Sequence, residues 1–221
     1  MNILIIGSDT NLRECKEKFG DKHQYVCIND QQSGKKHFQE SEVVFDFTMA
    51  RFPQQIEVYF DHPELTVFLN TSLISLHELG RHVDHKLPST VFGFCGLPTF
   101  LNRPLLEVSM CTVADKAKLV EICKNLNTEC VVVDDRIGLV TPRVICMIIN
   151  EAYCTVEEGT ATREDIDLAM KLGTNYPLGP FEWAKKIGIR NVYEVLHAVY
   201  KDTKDERYRI CTLLKKESTQ P

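Results

Sequence analysis

Apolar residues in the first part of the chain come in short unbroken runs, and in the last part they recur at helical spacing. The runs are Ile3-Leu4-Ile5-Ile6, Tyr25-Val26-Cys27-Ile28, Val43-Val44-Phe45-Asp46-Phe47, Leu65-Thr66-Val67-Phe68-Leu69, Val91-Phe92-Gly93-Phe94, Leu105-Leu106-Glu107-Val108 and Cys130-Val131-Val132-Val133. Runs this short, bounded by Gly, Asn or Asp, mark strands buried on both faces of a mostly parallel sheet. Helical patterns alternate with them. One is capped by Asp9 or Thr10 and runs to Phe19, closing at Gly20-Asp21; a crossover helix suits Pro53 to Asp61. A short helix lies around Leu76 and Leu79, and an amphipathic one spans Ala114 to Asn125. This alternation predicts a doubly wound α/β domain over residues 1–136.

From Gly138 onward the period changes. Ile145, Ile148, Ile149, Ala152 and Val156 recur at three- and four-residue steps and line one face of a helix that ends at Gly159. Thr162 and Asp165 form a capping box for a second helix bearing Ile166, Ala169 and Met170, with Gly173 at the expected left-handed C-terminal cap. Asn175-Tyr176-Pro177-Leu178-Gly179-Pro180 is a rigid turn, and Pro180 opens a third helix through Phe181 and Trp183. No flexible linker intervenes, so an all-α domain is expected over residues 137–221.

The order strand, Gly7, helix, strand, Asn29-Asp30 is that of a Rossmann-like dinucleotide-binding unit, with phosphates on the helix N-terminus and the carboxylate on the ribose. The glycine fingerprint is damaged. Gly7-Ser8-Asp9-Thr10-Asn11-Leu12 keeps only its first glycine, and Asp9 brings a negative charge towards the pyrophosphate position. The polar stretch Gln31-Gln32-Ser33-Gly34-Lys35-Lys36 is short, so the nucleotide half is abridged. Asn70-Thr71-Ser72 sits at the carboxyl end of a strand, where open α/β sheets bind ligands.

Composition narrows the classes further. The chain has 221 residues, 43% of them hydrophobic, which is enough for a core. Lys+Arg 26 against Asp+Glu 31 gives a net charge of −5 without a basic tract, so nucleic acid is a poor partner. No apolar run suits a membrane helix and no secretory pattern opens the chain, so no membrane association and a cytoplasmic location are expected. Nine cysteines are scattered without a C-x-x-C pair, which argues against a zinc ribbon or a disulfide framework. Cys27, Cys123, Cys130, Cys146 and Cys154 fall within apolar patterns and read as small buried hydrophobes.

The segments Asn150-Glu151-Ala152, Thr155 to Gly159, Glu164-Asp165-Ile166-Asp167, Ala169 to Gly173, Asn175-Tyr176-Pro177 and Gly179-Pro180-Phe181-Glu182 resemble the C-terminal domain of the L-3-hydroxyacyl-CoA dehydrogenases. The likeness runs from Gly138 to about Arg207-Tyr208-Arg209. It implies NAD as cofactor, a short-chain 3-hydroxyacyl-CoA as substrate and a homodimer formed through the helical domain. It also implies roles for single residues. Gly7, Ser8, Asp30 and Asn70 would hold the cofactor; Glu107 matches the glutamate that orients the family's catalytic histidine, and Ser72 belongs to the family's Asn-Thr-Ser turn. Counting in register from Glu107 puts Cys95 at the histidine position and Pro98 at the following asparagine. Pro142 stands where the family polarises the substrate carbonyl with asparagine. His82 and His85 lie in the preceding loop as replacement bases. The resemblance thus admits two readings: a divergent dehydrogenase, or a relative that keeps the fold as a dimerisation or ligand-binding module.

Overall fold

The computed structural model describes residues 1–82 and 90–220, which form two compact units, Met1–Leu139 and Val140–Pro221. His85 lies outside the described residues, as does the side chain of His82.

In the first unit, the strands β1 (Asn2–Ile6), β2 (Gln24–Ile28), β3 (Val43–Asp46), β4 (Thr66–Asn70), β5 (Thr90–Phe94), β6 (Leu105–Met110) and β7 (Glu129–Val132) make one sheet. Its order is β2-β1-β3-β4-β5-β6-β7. All neighbours run parallel except β5 and β6, which pair antiparallel. The chain leaves β1 in one direction to make β2 and returns past it to make β3. That reversal opens a crevice at the carboxyl ends of β1 and β3, the position at which doubly wound sheets take ligands.

Strand periodicity divides the core cleanly. Ile3, Ile5, Val43, Phe45, Phe68, Phe92 and Val108 point to one face, covered by α1 (Asp9–Phe19) and α4 (Lys116–Asn125). Leu4, Ile6, Val44, Val67, Leu69 and Val91 point to the other, under Phe38, Met49, Ile56, Tyr59, Leu76 and Leu79. Phe19, Phe45, Phe68 and Phe92 form an aromatic ladder with centroid separations of 5.1, 4.6 and 5.1 Å. Each such contact adds about 0.5–1.5 kcal/mol beyond simple burial.

Asp46 ends β3 inside this core with no exposure. Its carboxylate accepts from the Thr48 amide (2.8 Å) and hydroxyl (2.7 Å), the Met49 amide (3.1 Å), the Tyr59 hydroxyl (2.8 Å) and the Gln31 amide (3.0 Å). Burial pushes the Asp46 pKa up while the Thr48, Tyr59 and Gln31 donors hold it down. A buried charge is tolerated only with such a complement of donors.

Several expectations are corrected. The cap of α1 is Ser8, whose extended backbone lets its hydroxyl take the Asn11 amide, so Asp9 and Thr10 are already inside the helix. Pro53–Tyr59 is a 3-10 helix, and the polar stretch after Asp30 folds as the short α2 (Gln31–Gly34) followed by a 3-10 helix, Lys35–Glu40. The last strand is an edge: Val131 is 36% and Val132 40% exposed, because nothing pairs with the outer side of β7. Cys27 and Cys130 on the two edge strands, and Cys154, are only partly buried. The sheet unit extends past Val132 because Asp135 accepts from the Leu76 (2.9 Å) and His77 (2.8 Å) amides at the start of α3 (Leu76–His82) and from the Ser109 hydroxyl (3.2 Å).

The second unit consists of α5 (Thr141–Glu157), α6 (Arg163–Thr174), α7 (Pro180–Ile187), α8 (Ile189–Thr203) and α9 (Thr212–Ser218). Pro142 sits in the first turn of α5, where its missing N–H costs nothing. Ile145, Cys146, Ile149, Ala152 and Tyr153 bury one face of that helix against α7, α8 and α9, while Ile148 and Val156 are only half-buried. Gly173 lies inside α6, and the left-handed cap is Asn175 at φ 57°. The expected packing face of α6 is absent: Ala169 is exposed, Ile166 and Met170 are half-buried, and no residue of the helix is fully buried. Among the described residues no helix is long and apolar enough to cross a membrane.

An ion pair joins the start of α6 to α9. Arg163 meets Glu217 through both guanidinium arms, Tyr153 donates to Glu217 at 3.0 Å, and Arg163 lies over the Tyr153 and Phe181 rings at 5.3 and 5.1 Å. The Arg163 bond holds the Glu217 carboxyl below the usual carboxylate range. A depressed carboxylate stabilises the fold above its unfolded pKa of about 4.3, and the contribution disappears as pH falls through the folded value. Arg163 is 39% exposed, so solvent screening limits the effect to about 1 kcal/mol. Urea midpoints of wild type and Glu217→Gln, compared from pH 7 down to pH 3, are expected to differ at neutral pH and converge in acid.

Candidate functional site

The candidate site is built from the carboxyl ends of β1, β3, β4 and β5. Its centre is Asn70, the last residue of β4, 5% exposed. Its Oδ1 accepts from the Gly96 amide (3.0 Å) and the Ser72 amide (3.2 Å), and its Nδ2 donates to the Phe47 carbonyl (3.0 Å). One carboxamide thus ties together the chain leaving β3, β4 and β5. Gly96 must lack a side chain for this, since a Cβ there would lie 2.8 Å from the Asn70 carboxamide carbon. Asn70, expected at the cofactor, is engaged by the protein's own backbone. Ser72, two residues on, is fully buried, and its hydroxyl has no partner among the described residues. An orphaned buried hydroxyl costs about 1–3 kcal/mol, and here it lies where the fold takes ligands.

β5 and β6 pair antiparallel up to Phe94 opposite Val108, so Cys95, just after β5, and Glu107, in β6, flank the last paired residues of the two strands. Cys95 is 5% exposed and Glu107 half-buried. Pro98, expected at an asparagine position, lies in the connection 95–104 between the two strands and has no side-chain donor.

That connection supplies Arg103, which sequence reasoning missed. Its Nε donates to the Thr99 carbonyl (3.2 Å) and its guanidinium lies 4.5 Å from the Phe100 ring centroid. Burial lowers the Arg103 pKa, and attraction to Cys95, Glu107 and Glu14 opposes the shift. A single arginine between two prolines-and-polars loop positions carries no pattern that marks it from sequence. Only the folded connection brings its charge to the Cys95–Glu107 pair.

At the other side of the crevice, Gly7 passes so close to α1 that a Cβ would meet Asn11 Oδ1 at 2.6 Å. Asn11 in turn accepts from the Ser8 amide (2.9 Å) and donates its own amide to the Ser8 hydroxyl (3.4 Å). This capping box occupies two groups that a phosphate would otherwise use. The amides of Asp9 and Thr10, in the first turn, are left for an anion, with the exposed Asp9 carboxylate opposing it. Asp30 caps α2, accepting from the Ser33 amide (2.9 Å) and hydroxyl (2.8 Å); those bonds hold its carboxyl below the usual range. The strand reversal, the Gly7 turn, the two first-turn amides and the Ser72 hydroxyl fit a nucleotide; Asp9 is the residue that does not.

The motif-rich helical stretch has a different role. Asp167 accepts from the Phe181 (2.8 Å) and Glu182 (3.2 Å) amides, and Glu182 accepts from the Gly179 amide (3.0 Å). Gly179 is obligatory there, since a Cβ would sit 2.2 Å from the Asp167 carboxyl. Asn150 donates to the Arg209 carbonyl (3.0 Å) and accepts from the Cys211 amide (2.9 Å). These side chains cap helix ends and tie segments together.

Residues 138–219 match the family model described as 3-hydroxyacyl-CoA dehydrogenase, C-terminal domain. The chain is 32% identical over 150 residues to a 3-hydroxybutyryl-CoA dehydrogenase of Clostridioides difficile, covering 66% of this chain and 53% of that protein. It is 40% identical over 81 residues to the 3-hydroxyadipyl-CoA dehydrogenase of Escherichia coli (strain K12), covering 37% of this chain and 17% of that protein. The chain spans about half the length of the 3-hydroxybutyryl-CoA dehydrogenases it matches. The crystal structure of an (S)-3-hydroxybutyryl-CoA dehydrogenase from Ralstonia eutropha shares the fold, with a TM-score of 0.74 at 21% identity over 97% of this chain and 92% of that one.

Replacing Asn70 with alanine orphans two buried amides and a carbonyl. Asn70→Ala is expected to cost about 3 kcal/mol of stability, read as a lowered urea midpoint. An unchanged midpoint would show that the clasp holds nothing together.

Proposed function

We propose that this chain, whose residues 138–219 match the 3-hydroxyacyl-CoA dehydrogenase C-terminal domain, acts as a member of that family and oxidises a short-chain L-3-hydroxyacyl-CoA to the 3-oxoacyl-CoA with NAD. The observation that carries this reading is the placement of Cys95 and Glu107 beside the last paired residues of β5 and β6 in a doubly wound sheet, in a chain whose second unit matches the family's C-terminal domain. The Asp9 and Thr10 amides in the first turn of α1, reached over the Gly7–Ser8 turn, would hold the pyrophosphate, and Asp30 the ribose. Bound NAD would supply the acceptor for the hydride leaving the 3-carbon.

The remaining chemistry belongs to the chain. Cys95 is smaller than the family's histidine and does not carry its imidazole base. Glu107 is the carboxylate that takes the hydroxyl proton, through the room the smaller side chain leaves. Ser72 offers its unpartnered hydroxyl to the substrate oxygen. Arg103, whose charge reaches Cys95 and Glu107, is a cation that would polarise the substrate oxygen.

A homodimer through the helical unit is part of the proposal. Leu168 and Leu172 on α6 are 53% and 78% exposed, and Val140 and Val144 at the start of α5 are 51% and 53% exposed. An apolar row on a helix that buries none of its own residues suits a symmetric partner.

Three measurements test these claims. NADH and acetoacetyl-CoA are each expected to raise the melting temperature, because a ligand of the native state stabilises it; no shift from either at millimolar levels would end the dehydrogenase reading. Where turnover is seen, Glu107→Gln should lower kcat by about 10²–10⁴-fold, the usual cost of a lost general base. Light scattering on the eluted protein should give twice the 25.3 kDa chain mass, and Leu172→Lys should halve it. A wild-type mass of one chain would refute the dimer.

A further inference from the structure

The connection 95–104 forms no strand pairs of its own, yet most of it is buried: Cys95 is 5% exposed, Leu97 6%, Phe100 5% and Leu101 0%. Its backbone groups find partners on α1. Glu14, 9% exposed, accepts the Asn102 amide at 3.3 Å and also takes backbone bonds from Leu101 and Thr99. Glu17 accepts from the Asn102 side chain at 3.0 Å. Lys18 donates to the Arg103 carbonyl and to the Pro104 carbonyl, the latter at 3.3 Å. Positions 14, 17 and 18 share one helix face, so acids meet the amides of the connection and a base meets its carbonyls.

Burying the Glu14 carboxylate is unfavourable by itself, and burial raises its pKa despite the three amides. An apolar residue would cover the core equally well. What the carboxylate adds is a fixed backbone path. It carries Thr99 in the left-handed region at φ 74°, whose carbonyl accepts the Arg103 Nε bond. The clamp therefore decides where the Arg103 guanidinium stands.

We propose that Glu14 and Lys18 are positioning residues: they hold the 95–104 connection so that Arg103 stands against Cys95 and Glu107, and they couple that group to the helix carrying the Gly7–Ser8 turn. The assignment of these groups to a catalytic site rests on the dehydrogenase reading above; the clamp itself does not.

The test measures the clamp without using turnover. Cys95 labelling by N-ethylmaleimide, followed by peptide mass spectrometry, reports how firmly the connection covers the thiol; hydrogen exchange reports its amides. Glu14→Gln and the milder Lys18→Gln are each expected to speed Cys95 labelling and exchange across 96–104 by about ten-fold or more, with exchange across β1 and β3 unchanged. Wild-type rates in both variants would overturn the proposal. So would a uniform rise in exchange over the whole sheet unit in Lys18→Gln, since it would mean general destabilisation. If the wild type turns over, kcat should fall in Lys18→Gln by about ten-fold with the KM for NAD unmoved. If it does not turn over, the functional reading fails while the labelling result still decides the clamp.

Discussion

Asn70 has a carboxamide with a donor and an acceptor at opposite corners, and the sheet unit uses both to close its carboxyl edge. Parallel strands have no ladder beyond their ends, so each chain leaving such an edge exposes amides and carbonyls that need partners. Here one side chain serves three of those exits, and the glycine at 96 permits the approach. The Ser72 hydroxyl, the Cys95 side chain and the turn after β3 keep their places because of that clasp. Asp46, one residue before the Phe47 carbonyl that Asn70 holds, performs the same service one layer deeper with five donors.

The two units differ in what their polar residues are for. In the helical unit Thr162, Asp167, Glu182 and Asn150 bond to backbone at helix ends and crossings. Each removes an orphan amide or carbonyl that helical geometry leaves open. Their chemistry is local and stringent, so few residue types serve. The match of residues 138–219 to the family model follows from that stringency as much as from any reaction.

In the sheet unit the polar groups are in competition. Ser8 and Asn11 satisfy each other at the start of α1, and Asp30 and Ser33 do so at the start of α2. Both places are where a nucleotide would be held in this fold. A ligand there has to exchange with internal hydrogen bonds, which makes binding weaker than at a glycine-rich turn with free amides. Near Cys95 and Glu107, Arg103 adds a cation whose charge both residues feel.

The order of strands and helices was legible in the sequence, because runs such as Val43 to Phe47 and the three-and-four spacing from Ile145 to Ala152 are enforced by burial on a fixed period. Caps were legible where residue type decides them, as at Thr162, and missed by a residue or two at Ser8 and Asn175, where backbone dihedral angles decide. What the sequence could not show is which distant groups share space. The Glu14 bond to the 95–104 connection and the Asn70 bonds to Phe47 and Gly96 join residues far apart in the chain. Such contacts leave no periodic trace, because they depend on where the folded elements lie and not on the spacing within any one of them.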